Sequence, residues 1–155
     1  MFKKVAFLAV AGAALASNGA IAATATSNMT VQAVITGSCT VTAPTMNFGN
    51  ILLTTANTDT QTDLTVNCTN AVPYTVGIDG TVGARTLTNG AQTLSYEIYT
   101  DNTFAVPVDN PGGLNVIPGT GTGANQTVSI FGRVPVQTTP PAGTYTRTAV
   151  VTVTY

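Results

Sequence analysis

The sequence predicts an antiparallel β-sandwich made of short strands, and three observations support this fold class. Polar and apolar residues alternate in several windows, whereas no window places apolar residues at helical spacing. The alternating windows are rich in Val, Ile and Thr, which favour strands. Gly, Pro, Asn and Asp separate these windows, as expected for turns between neighbouring strands. Two antiparallel sheets packed face to face have this pattern.

The predicted strands follow one another along the whole chain after its first residues. The strongest hairpin signal is Asn89-Gly90, because both positions tolerate positive φ. A Pro-Pro-Ala-Gly turn at residues 140–143 leads into the last strand. Residues 115–125, rich in Gly and Thr, are predicted to be a surface loop. In chain order, the predicted strands are Met29–Ile35, Cys39–Phe48, Thr62–Cys68, Pro73–Ile78, Arg85–Leu87, Thr93–Tyr99, Val128–Val134 and Gly143–Tyr155.

The first 22 residues have the pattern of a secretory signal peptide. Lys3 and Lys4 form a basic start, residues 5–16 are apolar, and Ala20 and Ala22 are small residues at the positions that a signal peptidase recognises. Because the apolar run is too short to span a bilayer stably, we predict cleavage after Ala22 and no membrane span in the mature form. A retained membrane anchor is the alternative.

Length and charge limit the possible functions. The chain has 155 residues, and removal of 22 would leave 155 − 22 = 133, enough for one domain with a core. Cleavage would also remove both lysines, leaving three arginines against six acidic residues and a net charge of 3 − 6 = −3. Since no basic patch is present to neutralise phosphates, nucleic-acid binding is not expected.

Cys39 and Cys68 are the two cysteines of the chain. In an oxidising compartment an isolated pair of cysteines most simply forms a disulfide. A zinc site is less well supported because the chain has no histidine. The separation of the two residues is also far from that of a CxxC redox motif.

Enzymatic chemistry has little support in the sequence. The lack of histidine removes the commonest general base and the usual catalytic triads. Asp59, Asp63, Asp79 and Asp101 stand beside turn-forming residues, where Asp is expected for backbone reasons. Asp101-Asn102 and the corresponding pair at 109–110 do not have the spacing of a calcium loop. We therefore predict no enzyme, no cofactor and no metal site.

The last predicted strand has an edge that nothing in its sequence protects. Sheet edges are normally blocked by lysines, prolines or bulges, and residues 149–155 contain no lysine or proline. The apolar positions of this strand are Ala149, Val151, Val153 and Tyr155.

Met29, Val31, Ala33 and Ile35 alternate in one register near the start of the mature chain. Such a segment fits an apolar groove while its backbone bonds to the strand beside it. The alternative is an ordinary first strand of the segment's own domain.

Five strings carry a resemblance to a known family. In order they are "GSCTVTAPTMNFGNI", "LTVNCTNAVPYTVGIDG", "LSYEIYTD", "IFGRVP" and "PPAGTYTRTAVVTVTY". Together with the signal peptide and the cysteine pair, they resemble the spore coat protein U-like domain family. Within that family they are most similar to the subunits of archaic, Csu-type chaperone–usher pili. The resemblance runs from about Met29 to Tyr155.

The resemblance implies an incomplete immunoglobulin-like antiparallel β-sandwich that lacks its final strand and is completed by a donor strand from another subunit. Its domains would be a signal peptide (1–22), an N-terminal extension (23–36) and a pilin domain (37–155). Met29, Val31, Ala33 and Ile35 would be the donor residues. The acceptor groove would lie along the terminal strand, at Ala149, Val151, Val153 and Tyr155.

The implied function is that of a structural pilus subunit that supports surface adhesion and biofilm formation. The implied partners are a periplasmic chaperone, an outer-membrane usher and neighbouring subunits of a homopolymer at the cell surface. Two alternatives stay open. One is a spore-coat or extracellular matrix structural protein of the same fold, and the other is a small adhesin-like binding module.

Overall fold

The structure is a computed structural model that describes residues 22–52 and 56–155. The chain divides into two units, with the boundary between Val34 and Ile35. Of the first unit, residues 22–34 are described, and they form neither strand nor helix. The predicted signal peptide lies outside the described residues except for Ala22. No helix in the described part of the chain has the length and apolar character needed to cross a membrane.

The second unit is all β. Its longest strands are β2 and β8, and the others have three to six residues. In the described ranges the strands are β1 (Cys39–Thr42), β2 (Thr58–Cys68), β3 (Pro73–Ile78), β4 (Thr86–Asn89), β5 (Gln92–Ser95), β6 (Glu97–Tyr99), β7 (Ile117–Thr120), β8 (Asn125–Val134) and β9 (Val151–Thr154).

The larger sheet has the strand order β1-β2-β8-β6, with antiparallel pairing throughout. β2 and β8 pair from Thr58↔Val134 to Asn67↔Asn125 and form its centre. Leu64 and Val66 of β2 are buried, whereas Thr65 between them is exposed, as the period of a strand requires. The alternation predicted from the sequence therefore turns one face of this sheet toward the core.

The smaller sheet has the order β7-β3-β9, and β4 and β5 form a separate hairpin. Asn89 pairs with Gln92 across the hairpin turn, where Gly90 has a φ of 58°. This hairpin was predicted from Asn89-Gly90. The isolated bridge Thr88↔Thr146 ties the hairpin to the segment that leads into β9.

The hydrophobic core lies in the second unit and draws on both sheets. Its buried residues come mainly from β2, β3, β8 and the region of β5 and β6. The sandwich forms because each sheet contributes one apolar face to this core. The buried apolar residues are Leu64, Val66, Cys68, Tyr74, Val76, Ile78, Leu94, Tyr96, Ile98, Val108, Ile130 and Val134.

The predicted loop at residues 115–125 is wrong in part, because it contains β7. Pro118 is acceptable there since β7 lies at the edge of its sheet. Gly119 of β7 stands opposite Tyr74, whose ring occupies the space that a Cβ at residue 119 would need. Because two of its four residues are Pro and Gly, the sequence pattern did not indicate a strand here.

Three other predicted strands are shorter or divided in the structure. The first keeps only Cys39–Thr42, so residues 43–48 belong to no strand. The stretch Thr93–Tyr99 is divided into β5 and β6 at Tyr96. The last strand is regular only over Val151–Thr154. Residues 29–35 form no strand.

Candidate functional site, an open groove beside the last strand

β9 is paired along one edge. Val150 accepts a hydrogen bond from the Asp79 N–H, and Thr146 exchanges two with Thr88, so these residues turn their backbone groups toward β3 and β4. Because backbone groups alternate between the two edges of a strand, those of Ala149 and Val151 turn the other way. Among the residues that the structure describes, no strand pairs with that second edge. The fold is therefore an incomplete sandwich of the predicted kind.

A second unpaired segment faces this region. After β1 the chain leaves the edge of β2, and residues 43–48 make no backbone-to-backbone hydrogen bond with any described residue. The segment is held by its side chains and by one contact, in which the Thr60 hydroxyl donates to the Asn47 carbonyl oxygen at 3.0 Å. Met46 and Phe48 pack over Gly132 of β8, where a Cβ would lie 2.8 Å from the Phe48 ring.

A cavity of about 310 Å³ lies between these two segments. Residues 43–46 and Phe48 line one side, residues 147–149 and Val151 line the other, and core side chains form the floor. We call it the acceptor groove. Its floor and lower walls comprise Thr62, Leu64, Ile78, Leu87, Tyr96, Ile98 and Ile130.

The lining of the acceptor groove is largely apolar and carries one charged residue, Arg147. The Tyr96 ring meets the Phe48 ring edge to face, with 6.2 Å between centroids. Burial raises the pKa of the Tyr96 hydroxyl above its ordinary value, so the hydroxyl is neutral at physiological pH. An apolar concavity with an unpaired strand edge on one side and an unpaired backbone segment on the other has the chemistry needed to bind an extended segment.

The four predicted residues of the terminal strand have different positions. Ala149 and Val151 line the acceptor groove. Val153 is partly buried against the core, and Tyr155 is 61% exposed. β1 lies against β9. The part of this strand that lines the cavity is its Arg147–Val151 end, and the unpaired edge of β9 continues beyond the cavity to Thr154.

The four predicted donor residues have exposed side chains. Met29, Val31 and Ile35 are exposed by 83%, 82% and 87%, and Ala33 is also exposed. Val34, which has the opposite register, is 79% exposed. Several large apolar side chains exposed in succession are unusual for a segment without a binding partner.

The predicted disulfide is present between Cys39 and Cys68, which are paired residues of β1 and β2. It links an edge strand to a central strand across 29 positions. On the loop-entropy estimate, such a bond stabilises the folded state by about 3–4 kcal/mol. It holds β1, and therefore the start of the 43–48 segment, on the sheet.

The acidic side chains form hydrogen bonds or ion pairs with neighbouring residues. A hydrogen bond from Arg133 lowers the pKa of Asp59, bonds from Gln61 and Ser129 lower that of Asp63, and bonds from Thr103 lower that of Asp101. Glu97 pairs with buried Arg85 and also accepts from the Gly83 N–H at 2.6 Å. The described residues include no group of three His, Cys, Asp or Glu placed to hold a metal ion.

A second cavity, of about 400 Å³, lies beside Glu97. Its lining includes Tyr99 and Phe104, whose rings meet edge to face at 5.4 Å, and two prolines. The Arg133 guanidinium lies over the Phe104 ring, with its Cζ 3.7 Å from the ring centroid. The backbone of Phe104 has a φ of 56°. The Glu97 carboxylate beside this cavity is paired with the buried Arg85.

Sequence reasoning missed several groove residues. Met46 and Phe48 were assigned to a regular strand, although their apolar alternation after Pro44 marks an inward face. Arg147 and Tyr96 were not identified as groove residues, nor was the Asp79–Arg147 pair, because these side chains come together only when the last strand pairs beside the end of β3. No local sequence signal predicts that contact.

The fold and the groove define a class of open-edged β-sandwich domain. The chain belongs to the Spore Coat Protein U domain family, whose sequence model matches residues 25–152. It is 31% identical over 173 aligned positions to Protein U of Myxococcus xanthus, covering 97% of this chain and 96% of that protein. The match includes residues 29–35 as well as the sandwich.

A solved structure has the same fold. It is the CsuC–CsuE chaperone–tip adhesion subunit pre-assembly complex from the archaic chaperone–usher Csu pili of Acinetobacter baumannii. The TM-score is 0.56 at 20% sequence identity, and the match covers 78% of this chain. This chain spans 40% of the length of the matched chain.

Proposed function

We propose that the protein is a structural pilus subunit that polymerises by donor-strand exchange in a chaperone–usher pathway. The observation that carries this proposal is the acceptor groove. One of its sides has an unpaired strand edge at Ala149 and Val151, the other has the unpaired segment 43–48, and its floor is core. A strand inserted there would pair with backbone on both sides and cover the apolar floor.

The occupant is proposed to be the segment 29–35 of a second copy. Its four alternate apolar side chains point to one face of an extended strand, as the groove requires. Burying them would contribute about 5–9 kcal/mol before the cost of ordering the segment. The domains would then be a signal peptide (1–22), an extension (23–36) and an acceptor domain (37–155).

Assembly of this kind is head to tail. Each copy gives its extension to one neighbour and accepts an extension from another, so the contact does not close and a filament grows. A periplasmic chaperone would cover the groove first, and an outer-membrane usher would exchange it for the next subunit. The filament would lie at the cell surface and support adhesion and biofilm formation.

A coat or matrix function is the second candidate. The specific observation that favours it is the match to Protein U over nearly the full length of both chains. The same groove and extension would serve a coat polymer as well as a pilus. Chaperone and usher genes beside this gene would favour the pilus, and their absence would favour the coat.

Val31→Asp tests the proposal, with Val34→Asp as the matched control. The two valines are 82% and 79% exposed and have opposite registers, so they differ mainly in the face on which they lie. Asp at residue 31 would place an unpaired charge against the apolar side of the neighbour's terminal strand, which costs several kcal/mol. The subunit is to be expressed with its own locus, and fibres are to be counted by electron microscopy.

Val31→Asp is expected to abolish fibres while the subunit accumulates with its chaperone, and Val34→Asp is expected to form fibres. Val151→Asp, which changes the groove itself, should deplete the chaperone complex as well. Equal fibre formation by the two extension variants would refute strand exchange through this segment. Loss of the chaperone complex in Val31→Asp would instead show that Val31 belongs to the core of its own domain.

A further inference from the structure

Arg147 is the one charged residue in the lining of the acceptor groove. Its side chain is only 23% exposed. Residues 23–36, the proposed donor extension, contain no charged side chain. An inserted extension would therefore cover this guanidinium further without supplying a carboxylate, and an uncompensated charge at a buried position is unfavourable.

Asp79 already supplies the missing charge. Its Oδ2 lies 3.3 Å from the Arg147 Nη2. The guanidinium rests over Gly80, which has a φ of +98° and whose Cβ, if present, would lie 2.7 Å from Nη2. A glycine at residue 80 thus allows both the turn and the close approach of Arg147 to Asp79.

The same carboxylate also continues the ladder between β3 and β9. The Asp79 N–H donates to the Val150 carbonyl oxygen at 3.0 Å, and the Val150 N–H donates back to Asp79 Oδ1 at 2.9 Å. In a regular pair the second bond would go to the Asp79 carbonyl oxygen. In this structure that oxygen instead accepts a bond from Arg85 Nε at 3.1 Å. The carboxylate replaces it.

We propose that Asp79 is a specificity-determining residue of the acceptor groove. It neutralises Arg147 and holds the Arg147–Val150 side of the groove, so that the groove selects an uncharged strand. Without the Asp79 charge, the groove prefers a strand that carries its own carboxylate at the Arg147 end. This inference rests on the proposed function, because the strand that it concerns is the extension of a second copy.

The end of the strand that meets Arg147 follows from the fold. Every strand pair in the described sheets is antiparallel, so an inserted strand is expected to run antiparallel to β9. Pairing the four apolar positions of the extension with those of the terminal strand sets Ile35 opposite Ala149 and Met29 opposite Tyr155. Gly37 then stands opposite Arg147, and Ser27 lies at the far end.

Asp79→Asn separates the two roles of the side chain. The Asn Oδ1 can still accept from the Val150 N–H, whereas the amide nitrogen is a donor and cannot neutralise Arg147. The variant is made in the full secreted chain carrying Val31→Asp, which disables the chain's own extension. The probes are fluorescent, C-terminally amidated peptides of residues 24–37 in three forms: unchanged, Gly37→Glu and Ser27→Glu. Affinity is read by fluorescence anisotropy.

With Asp79 intact, the unchanged peptide is expected to bind at least as tightly as the Gly37→Glu peptide. In Asp79→Asn, the Gly37→Glu peptide should bind about two- to fivefold more tightly than the unchanged one, the range of a partly exposed ion pair. The Ser27→Glu peptide should show no such gain. Asp63→Asn changes a carboxylate on the outer face of β2 and is the control. It should leave the ratios of the three peptide affinities as they are in the chain with Asp79 intact.

Asp79→Asn could instead weaken the unchanged and Gly37→Glu peptides equally. That result would show that Asp79 has a purely structural role and would overturn the inference. An equal gain of the Gly37→Glu peptide in Asp63→Asn would overturn it as well. Failure of every peptide to bind the chain with Asp79 intact would have a different meaning. It would overturn the proposed function, because the groove would then not accept the extension at all.

Discussion

The Tyr145 hydroxyl donates a hydrogen bond of 2.8 Å to the carbonyl oxygen of Pro141, four residues earlier. This bond closes the corner at which the chain turns toward β9. A tyrosine bonded to the backbone a few residues upstream, near the start of a late strand, is a known feature of immunoglobulin-like sandwiches. Here it fixes the point from which the Arg147–Val151 side of the acceptor groove begins.

Tyr145→Phe is expected to destabilise the domain by about 0.5–1.5 kcal/mol, the usual net value of one hydrogen bond. Phe keeps the ring, so the change isolates the hydroxyl. The measurement is the urea midpoint of the chain with peptide 24–37 bound. Tyr155→Phe, at a position that is 61% exposed, should leave the midpoint unchanged. Equal midpoints for Tyr145→Phe and the unmodified chain would show that the corner bond adds nothing.

Gly132→Ala should destabilise the fold by about 1–3 kcal/mol, the range for overpacking a core. The added Cβ would overlap the Met46 sulfur and lie 2.8 Å from the Phe48 ring, both of which form part of the groove wall. Peptide affinity should fall together with the urea midpoint. Adding Met46→Ala to the variant should restore part of both quantities, and no change in either would mean that residues 43–48 do not pack on β8 as described.

Replacing both cysteines with serine should lower the free energy of unfolding by about 3–4 kcal/mol, because the 29-position loop in the unfolded chain is no longer closed. Reduction of the unmodified chain should have the same effect. Mass spectrometry of the chain should find one cross-linked peptide pair. Two free thiols in the exported protein would contradict the pairing.

Stability should fall in acid and stay flat near neutrality. The hydrogen bond from Arg133 holds the pKa of folded Asp59 below its ordinary value of 3.8. The charged form therefore stabilises the fold above that value, and this contribution is lost as the pH falls through the lower folded pKa. The chain has no histidine, so little change is expected between about pH 5 and 8.

Urea midpoints measured against pH test this expectation in Asp59→Asn, Arg133→Met and the double variant. Below about pH 4, each single variant should lose less stability than the unmodified chain, and by the same amount. The double variant should show no further reduction of this acid loss. If Asp59→Asn loses as much stability in acid as the unmodified chain, the loss arises from other carboxylates.

The extent to which the sequence predicts this structure depends on where the determining contacts lie. The strand from Pro73 to Ile78 and the hairpin at Asn89-Gly90 depend on local patterns, and both were predicted. β7 was missed because Pro118 and Gly119 are weak strand formers, accepted only at a sheet edge beside Tyr74.

The groove was predicted only in outline. An unprotected edge on the last strand is visible in the sequence. The opposite side, at Met46 and Phe48, depends on the chain leaving β2 after Thr42, and the Asp79–Arg147 pair depends on the antiparallel pairing of β3 with β9. Such contacts between residues far apart in the sequence are set by the packing of the sheets rather than by local propensity.

Photo-cross-linking from residue 31 tests the central claim most directly. A benzophenone side chain is placed at position 31 in isotopically heavy subunits, which are assembled with unmodified light subunits and irradiated. We expect cross-links from heavy position 31 to light residues, within the strand and wall segments 147–155 and 41–48. Cross-links confined to heavy chains alone, or directed to surfaces away from these two segments, would contradict insertion of the extension into the groove of a second copy.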